Sequence, residues 1–168
     1  IGASHYVNFS GAAFYCEGNF ITPLGVAKVN IPLARQIIRD NPTLFVSNGD
    51  VHSPEHSIEV QIPFLQYLYK DDLQIIPILL GTQKPVTIRK IADALQPYFN
   101  GSNLFIFSTD FSHYPNYTDA CKVDAITADA ILTNSSEAFL KAIESNDSKG
   151  IPNLATSICG WTGVLTML

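Results

Sequence analysis

Short apolar runs alternate with amphipathic stretches along the whole chain. The runs "AAFYC" (12–16), "LFVSN" (44–48), "LQIIPILLG" (73–81) and "NLFIFS" (103–108) have strand length and are bounded by Gly, Asn or Pro, which interrupt regular structure. They are the sheet candidates, and "IGASHYV" at the start reads as the tail of a further strand. Between them, "IPLARQIIRD" sets Ile31, Leu33, Ala34, Ile37 and Ile38 close to a helical period, and "VTIRKIADALQPYF" repeats it with Ile88, Ile91, Ala92 and Leu95. From Asp119 to Ser145 the apolar positions Val123, Ile126, Ala130, Phe139, Leu140 and Ile143 predict two helices broken near "TNSSEAF", with Ser135 or Ser136 capping the second. "GWTGVLTML" resembles the start of one more helix. Strand and helix alternate to the end, without repeats or low-complexity blocks, which predicts an α/β domain with a mostly parallel central sheet flanked by helices.

Size and composition agree with that layout. A chain of 168 residues fits one domain spanning 1–168, which at this size buries roughly 70% of its unfolded surface. Its 46% hydrophobic and 15% charged residues make it too apolar for disorder. The net charge of −5 and the scattered lysines and arginines leave no basic stripe to neutralise phosphates, so nucleic acid is not an expected partner. No apolar run approaches the ~20 residues of a membrane span. Three cysteines, Cys16, Cys121 and Cys159, follow no disulfide framework and fit a reducing, cytoplasmic setting. Cys16 and Cys121 have no polar partner nearby in sequence and are expected to pack. The chain starts at Ile1 without methionine and is expected to be a piece of something longer.

In layered α/β folds, ligands collect at the carboxyl ends of strands. "FIFSTDFSHY" (105–114) places Asp110 and His113 at such an end, and "IGASH" does the same for His5. A lone histidine after a strand is commonly a hydrogen-bonded loop residue; two from different strands point to a metal or acid/base site. In "HSPEHSIEVQIPFL" (52–65), Ser53 before Pro54 predicts a helix start with Glu55 at its positive end. On that helix His56 and Glu59 would share a face and reach one ion or one proton together; the alternative is a surface pair supporting the first turn. Pro63 should kink the helix or mark a short first turn. Cys159 in "ATSICGWTG" falls at a predicted helix N-terminus, which favours thiolate; the alternative is a buried, inert thiol.

The blocks "GASHYV", "TPLG" (22–25), "EHSIEVQIPFL" (55–65), "IIPILLG" (75–81), "STDFSHY" and "ICG" (158–160) stand in the order and spacing of the Memo family, the protein B component of AmmeMemoRadiSam systems, and the resemblance covers nearly the whole chain. It implies the α/β fold of class III extradiol ring-cleaving dioxygenases. Those enzymes hold non-heme iron with two histidines and a carboxylate, which a cysteine replaces in Memo proteins. By position, His5 and Cys159 match metal ligands, His113 matches the acid/base histidine beside the metal, and Asp110 accompanies it. The family's first histidine belongs to a "PHAGY" motif that this chain lacks, so one ligand is absent, and the chain is expected to be a fragment of the Memo-like domain without that N-terminal part and without the C-terminal end. Trp161 stands where relatives carry a basic residue.

Imidazole and thiolate donors suit iron or copper. The resemblance therefore implies either a metal-dependent oxidoreductase of dioxygenase ancestry with His113 moving protons, or a non-catalytic module that keeps the pocket for a peptide or small-molecule ligand. Oligomeric state is not legible in the sequence.

Overall fold

The structure is a computed structural model that describes residues 1–168, Asp71 excepted. In chain order its elements are β1 (Gly2–Ala3), β2 (Ala12–Phe14), β3 (Phe20–Thr22), β4 (Gly25–Val29), α1 (Ile31–Asp40), β5 (Phe45–Ser47), α2 (Ile62–Tyr69), β6 (Gln74–Ile75), β7 (Ile78–Leu80), α3 (Pro85–Leu95), α4 (Tyr117–Leu132), α5 (Ser136–Ser148) and α6 (Trp161–Met167).

The central sheet has the order β1-β7-β2-β5, and β3, β4 and β6 form a smaller one. β1 and β7 are parallel, as are β2 and β5, while β2 runs antiparallel to β7. The sheet is therefore mixed, with parallel pairing in the majority, and the chain connections explain it. A parallel return needs a crossover of about a dozen residues or more. Residues 4–11 between β1 and β2 are too few for that, whereas the path from β2 to β5 carries the β3–β4 hairpin and α1.

Alternation along the strands buries both faces. Ala12, Phe14, Ile78 and Leu80 point to one side with Phe45, where Ala34 and Ile37 of α1 and Ile91 and Leu95 of α3 cover them. Ala13 and Leu79 point to the other, against Val51, Phe9 and Ile58. Phe14 and Phe45 meet edge to face at 5.2 Å, and each such buried side chain contributes about 1.5–3 kcal/mol. A third cluster of Ile88, Phe139, Ile158, Val164 and Leu165 ties α3, α5 and α6 together.

Helix ends follow local chemistry. Asn30 caps α1 through the Leu33 N–H, Asn116 caps α4 through the Asp119 N–H, and Ser135 caps α5 through the Ala138 N–H, each cap being worth about 1 kcal/mol. The fully buried Asn146 of α5 reaches Thr127 Oγ1 of α4 at 3.3 Å. Cys16 packs in the main core as expected, but Cys121 lies on an exposed face of α4.

Two expected elements do not form. Residues 103–108 make no strand: their only ladder-like bonds are from the Ile1 amino group to Ile106 O at 2.7 Å and from the Ser108 N–H to Ile1 O at 2.9 Å. Both bonds end on one residue, in the pattern of parallel neighbours. The helix expected from Ser53 is also absent. Residues 51–54 form turns, a single 3-10 turn spans Glu59–Gln61, and α2 begins at Ile62 with Pro63 in its first turn. The Glu55 carboxylate accepts the His56 and Ser57 N–H groups at 2.9 and 3.1 Å, and the second of these is an N–H that the expected helix would have used internally.

Candidate functional site

Two clusters of polar side chains lie past the ends of neighbouring segments. The first joins residues 109–113 to residues 156–160. The Asp110 N–H donates to Cys159 Sγ at 3.2 Å, and the Cys159 N–H donates back to Asp110 O at 3.1 Å. Thr109 Oγ1 accepts the Gly160 N–H at 2.8 Å. His113 is held by its backbone, its N–H donating to Thr156 O and its carbonyl accepting from the Ala155 N–H, both at 3.1 Å. Ser112 is fixed to α4 through its N–H to Asp124 Oδ1 at 2.9 Å. This close approach requires Gly160, since a Cβ there would sit 2.7 Å from Ser108 O and from the Thr109 side chain.

The bonds converge three donors of different kinds. A carboxylate oxygen of Asp110, an imidazole nitrogen of His113 and the Cys159 sulfur all lie within 4.8 Å of one another. His113 Nε2 is 3.9 Å from Asp110 Oδ2. The Asp110 side chain is 84% exposed and that of His113 32%, so the group opens to solvent on one side. An oxygen, a nitrogen and a sulfur at this separation fit a transition-metal ion of borderline softness. Among the described residues no other group of three or more such side chains is so arranged.

The second cluster centres on Glu55, whose side chain is only 2% exposed. Its Oε2 accepts the His5 N–H at 2.7 Å, and His5 Nδ1 lies 3.1 and 3.2 Å from its two oxygens. His56 Nδ1 stands 3.4 Å from Oε1 on a largely exposed ring. Burial alone would push the Glu55 carboxyl up; the hydrogen bonds from His5, Ser57 and His56 outweigh it and hold the group at about 2. His52 is also buried, with Nε2 3.1 Å from Ala13 O. Burial lowers its pKa against the raising effect of that bond, keeping the ring neutral.

The residues singled out from the sequence thus fall into three places. Asp110, His113 and Cys159 come together. His5 is outside that trio and pairs with Glu55, although it follows Ile1 just as Asp110 follows Ser108 on the neighbouring segment. His56 and Glu59 do not share a helix face: His56 turns to Glu55, and Glu59 is exposed with no side-chain partner among the described residues. Sequence reasoning put Glu55 at a helix dipole and missed its anchoring role; its only local signal was a carboxylate flanked by Pro54 and His56. Thr109 and Gly160 carried no signal at all, because their use depends on two segments some fifty positions apart.

A cavity of about 540 Å³ has a mixed lining, with Leu33, Ile62 and Phe105 beside Gln61, Gln74 and Ser108. None of the metal-donor side chains lines it. No described helix is long and apolar enough to cross a membrane.

Comparison with known proteins agrees with the sequence blocks. The family model for Memo-like protein matches residues 1–168. A MEMO1 family protein of Thermoplasma acidophilum is 33% identical over 168 residues, covering 100% of this chain and 59% of its own length. MEMO1 family proteins of Desulfurococcus amylolyticus and Thermotoga petrophila are 30% and 33% identical, each over the whole of this chain and over 57% and 58% of their own length. The chain therefore spans somewhat more than half of the relatives it matches. With its α/β fold and a family match from the first residue to the last, the chain belongs to the Memo-like family.

Proposed function

We propose that this chain contributes a transition-metal site built on Asp110, His113 and Cys159, serving a metal-dependent oxidoreductase of dioxygenase ancestry. The observation that carries the reading is the mutual approach of carboxylate, imidazole and thiol within 4.8 Å. A thiolate ligand adds softness and an imidazole suits iron and copper alike, so these are the metals proposed, and a redox-capable ion with an open side would supply oxygen or substrate activation. The protein's own part is to hold the donors: the Asp110 N–H bonds the Cys159 sulfur while the Cys159 N–H bonds the Asp110 carbonyl, and the pairing of His113 with Thr156 and Ala155 fixes the backbone that carries the imidazole.

The test is metal content and oxygen consumption of anaerobically prepared protein, comparing wild type with His113→Ala and Cys159→Ala. Loss of metal in both variants supports the triad. Metal retained in His113→Ala with turnover lost assigns His113 to proton transfer, the role implied by the family resemblance. Equal metal in wild type and Cys159→Ala overturns the site.

The second reading is a non-catalytic module that takes a small-molecule or peptide ligand, and the cavity of mixed lining supports it, being of a size typical of ligand pockets. Unchanged oxygen consumption in His113→Ala, with saturable ligand binding, would favour it. A cytoplasmic location accompanies both readings.

A further inference from the structure

We propose that the outer face of α2 is a self-association surface, on which a second copy of this chain docks with its own α2 antiparallel to the first. The proposal is independent of the metal reading above.

The helix runs Ile62–Tyr69 with the sequence IPFLQYLY and has no charged side chain along its length. Its inner face is taken: Ile62 and Gln66 are buried, and Gln66 ties the helix to the β3–β4 hairpin, accepting from Thr22 Oγ1 and donating through Nε2 to Gly25 O at 3.0 Å. Phe64, Tyr67 and Leu68 face the other way, 70%, 78% and 69% exposed, and Val60 in the preceding turn is half exposed. Their spacing lines the four along one side of the helix. A surface helix ordinarily turns a polar face to water, and one that is apolar all round is covered on both sides. Two aromatic and two aliphatic side chains at these exposures show about 500 Å² of apolar surface, near the upper end of the largest patch on a typical monomer. Two copies would bury on the order of 1,000 Å² between them, the lower bound for a specific interface, which fits a reversible dimer.

The charges at the two ends of the helix select a second copy as the occupant. Glu59 precedes the apolar stripe and Lys70 follows it, both exposed and neither in an ion pair among the described residues. They are about three helical turns apart and so lie on the same flank, and Phe64 falls close to the midpoint both of these charges and of the stripe. A two-fold axis through that midpoint lays stripe on stripe and sets Glu59 of each copy beside Lys70 of the other, so the surface is complementary to itself. A parallel pair would instead set Glu59 beside Glu59 and Lys70 beside Lys70.

The experiment is sedimentation equilibrium on the full natural polypeptide, at low salt, from low micromolar to submillimolar concentration. Expected is a reversible monomer–dimer equilibrium in the micromolar range. Phe64→Lys and Tyr67→Lys, folded by circular dichroism, should stay monomeric over the same range, with urea midpoints close to wild type because both side chains are exposed. Glu59→Lys and Lys70→Glu should each weaken the dimer about tenfold, and the two together should restore it, because the opposed charges are then exchanged rather than matched. A wild-type monomer at every concentration overturns the proposal, whether α2 is covered within one polypeptide or left to solvent. A dimer that neither lysine variant weakens forms elsewhere and overturns it too, as does a double exchange no tighter than the single ones. If the Phe64 and Tyr67 variants do not fold, the charge exchange decides.

Discussion

Asp110 and Cys159 bind each other twice: the Asp110 N–H donates to the cysteine sulfur at 3.2 Å, and the Cys159 N–H donates to the Asp110 carbonyl at 3.1 Å. The N–H on sulfur orients that atom, and the return bond holds the two segments together. Replacing Cys159 by Ser should therefore leave the Cys159 N–H to Asp110 carbonyl bond in place while removing the soft donor. Expected is a loss of Co²⁺ affinity at least as large as the ~10–100-fold seen when outer partners of metal sites are removed, together with absence of the sulfur-to-cobalt absorption band. A variant that keeps the band would rule out Cys159 as a ligand.

Gly160 is where the two segments touch most closely. Gly160→Ala places a methyl group 2.7 Å from Ser108 O and from the Thr109 side chain, and the backbone has to move. Overpacking of this kind costs about 1–3 kcal/mol. Urea denaturation should show that loss, and Co²⁺ binding should weaken with it, because Thr109 and Asp110 shift away from Cys159.

Glu55 predicts the acid limb of stability. Its folded pKa of about 2 lies below the model-compound value of 4.5, so the unfolded chain binds more protons as pH falls. Its stabilisation is complete above about 4.5 and is lost as the pH falls through about 2. Urea midpoints measured from pH 6 down to pH 2 should fall more steeply in wild type than in Glu55→Gln. Parallel curves would show that Glu55 does not carry this dependence.

His52 acts at milder pH. Burial lowers its pKa from 6.5, so its contribution is fully present above 6.5 and declines as the pH drops below that value, where the unfolded imidazole gains a proton first. In wild type the urea midpoint should fall between pH 7.5 and 5.5, and in His52→Phe that part of the fall should shrink. The Phe variant also loses the contact with Ala13 O and should be less stable at pH 7.5 by about 1 kcal/mol.

Much of the fold was legible because it is written in local pattern. The period of Ile31 to Ile38, the break at Ser135 and the apolar runs around Ala12, Phe45 and Ile78 each report on neighbours a few positions away. The strand expected at 103–108 is of another kind: its composition is that of a strand, but a strand is a pairing, and among the described residues its bonds of that pattern are the two to Ile1. In place of the helix expected from Ser53 stand the bonds of Glu55, whose partners His5, His56 and Ser57 include one fifty residues away.

The sequence by itself determined which residue types could do chemistry here, and its ordered blocks determined the family. Only the tertiary structure decided how they group. It set Asp110, His113 and Cys159 together, turned His5 and His56 to Glu55, and left Glu59 in solvent. Donor identity belongs to single residues and survives in a linear string. Donor distance depends on which segments the core brings side by side, and here that rested on a glycine small enough to let Ser108 and Thr109 approach.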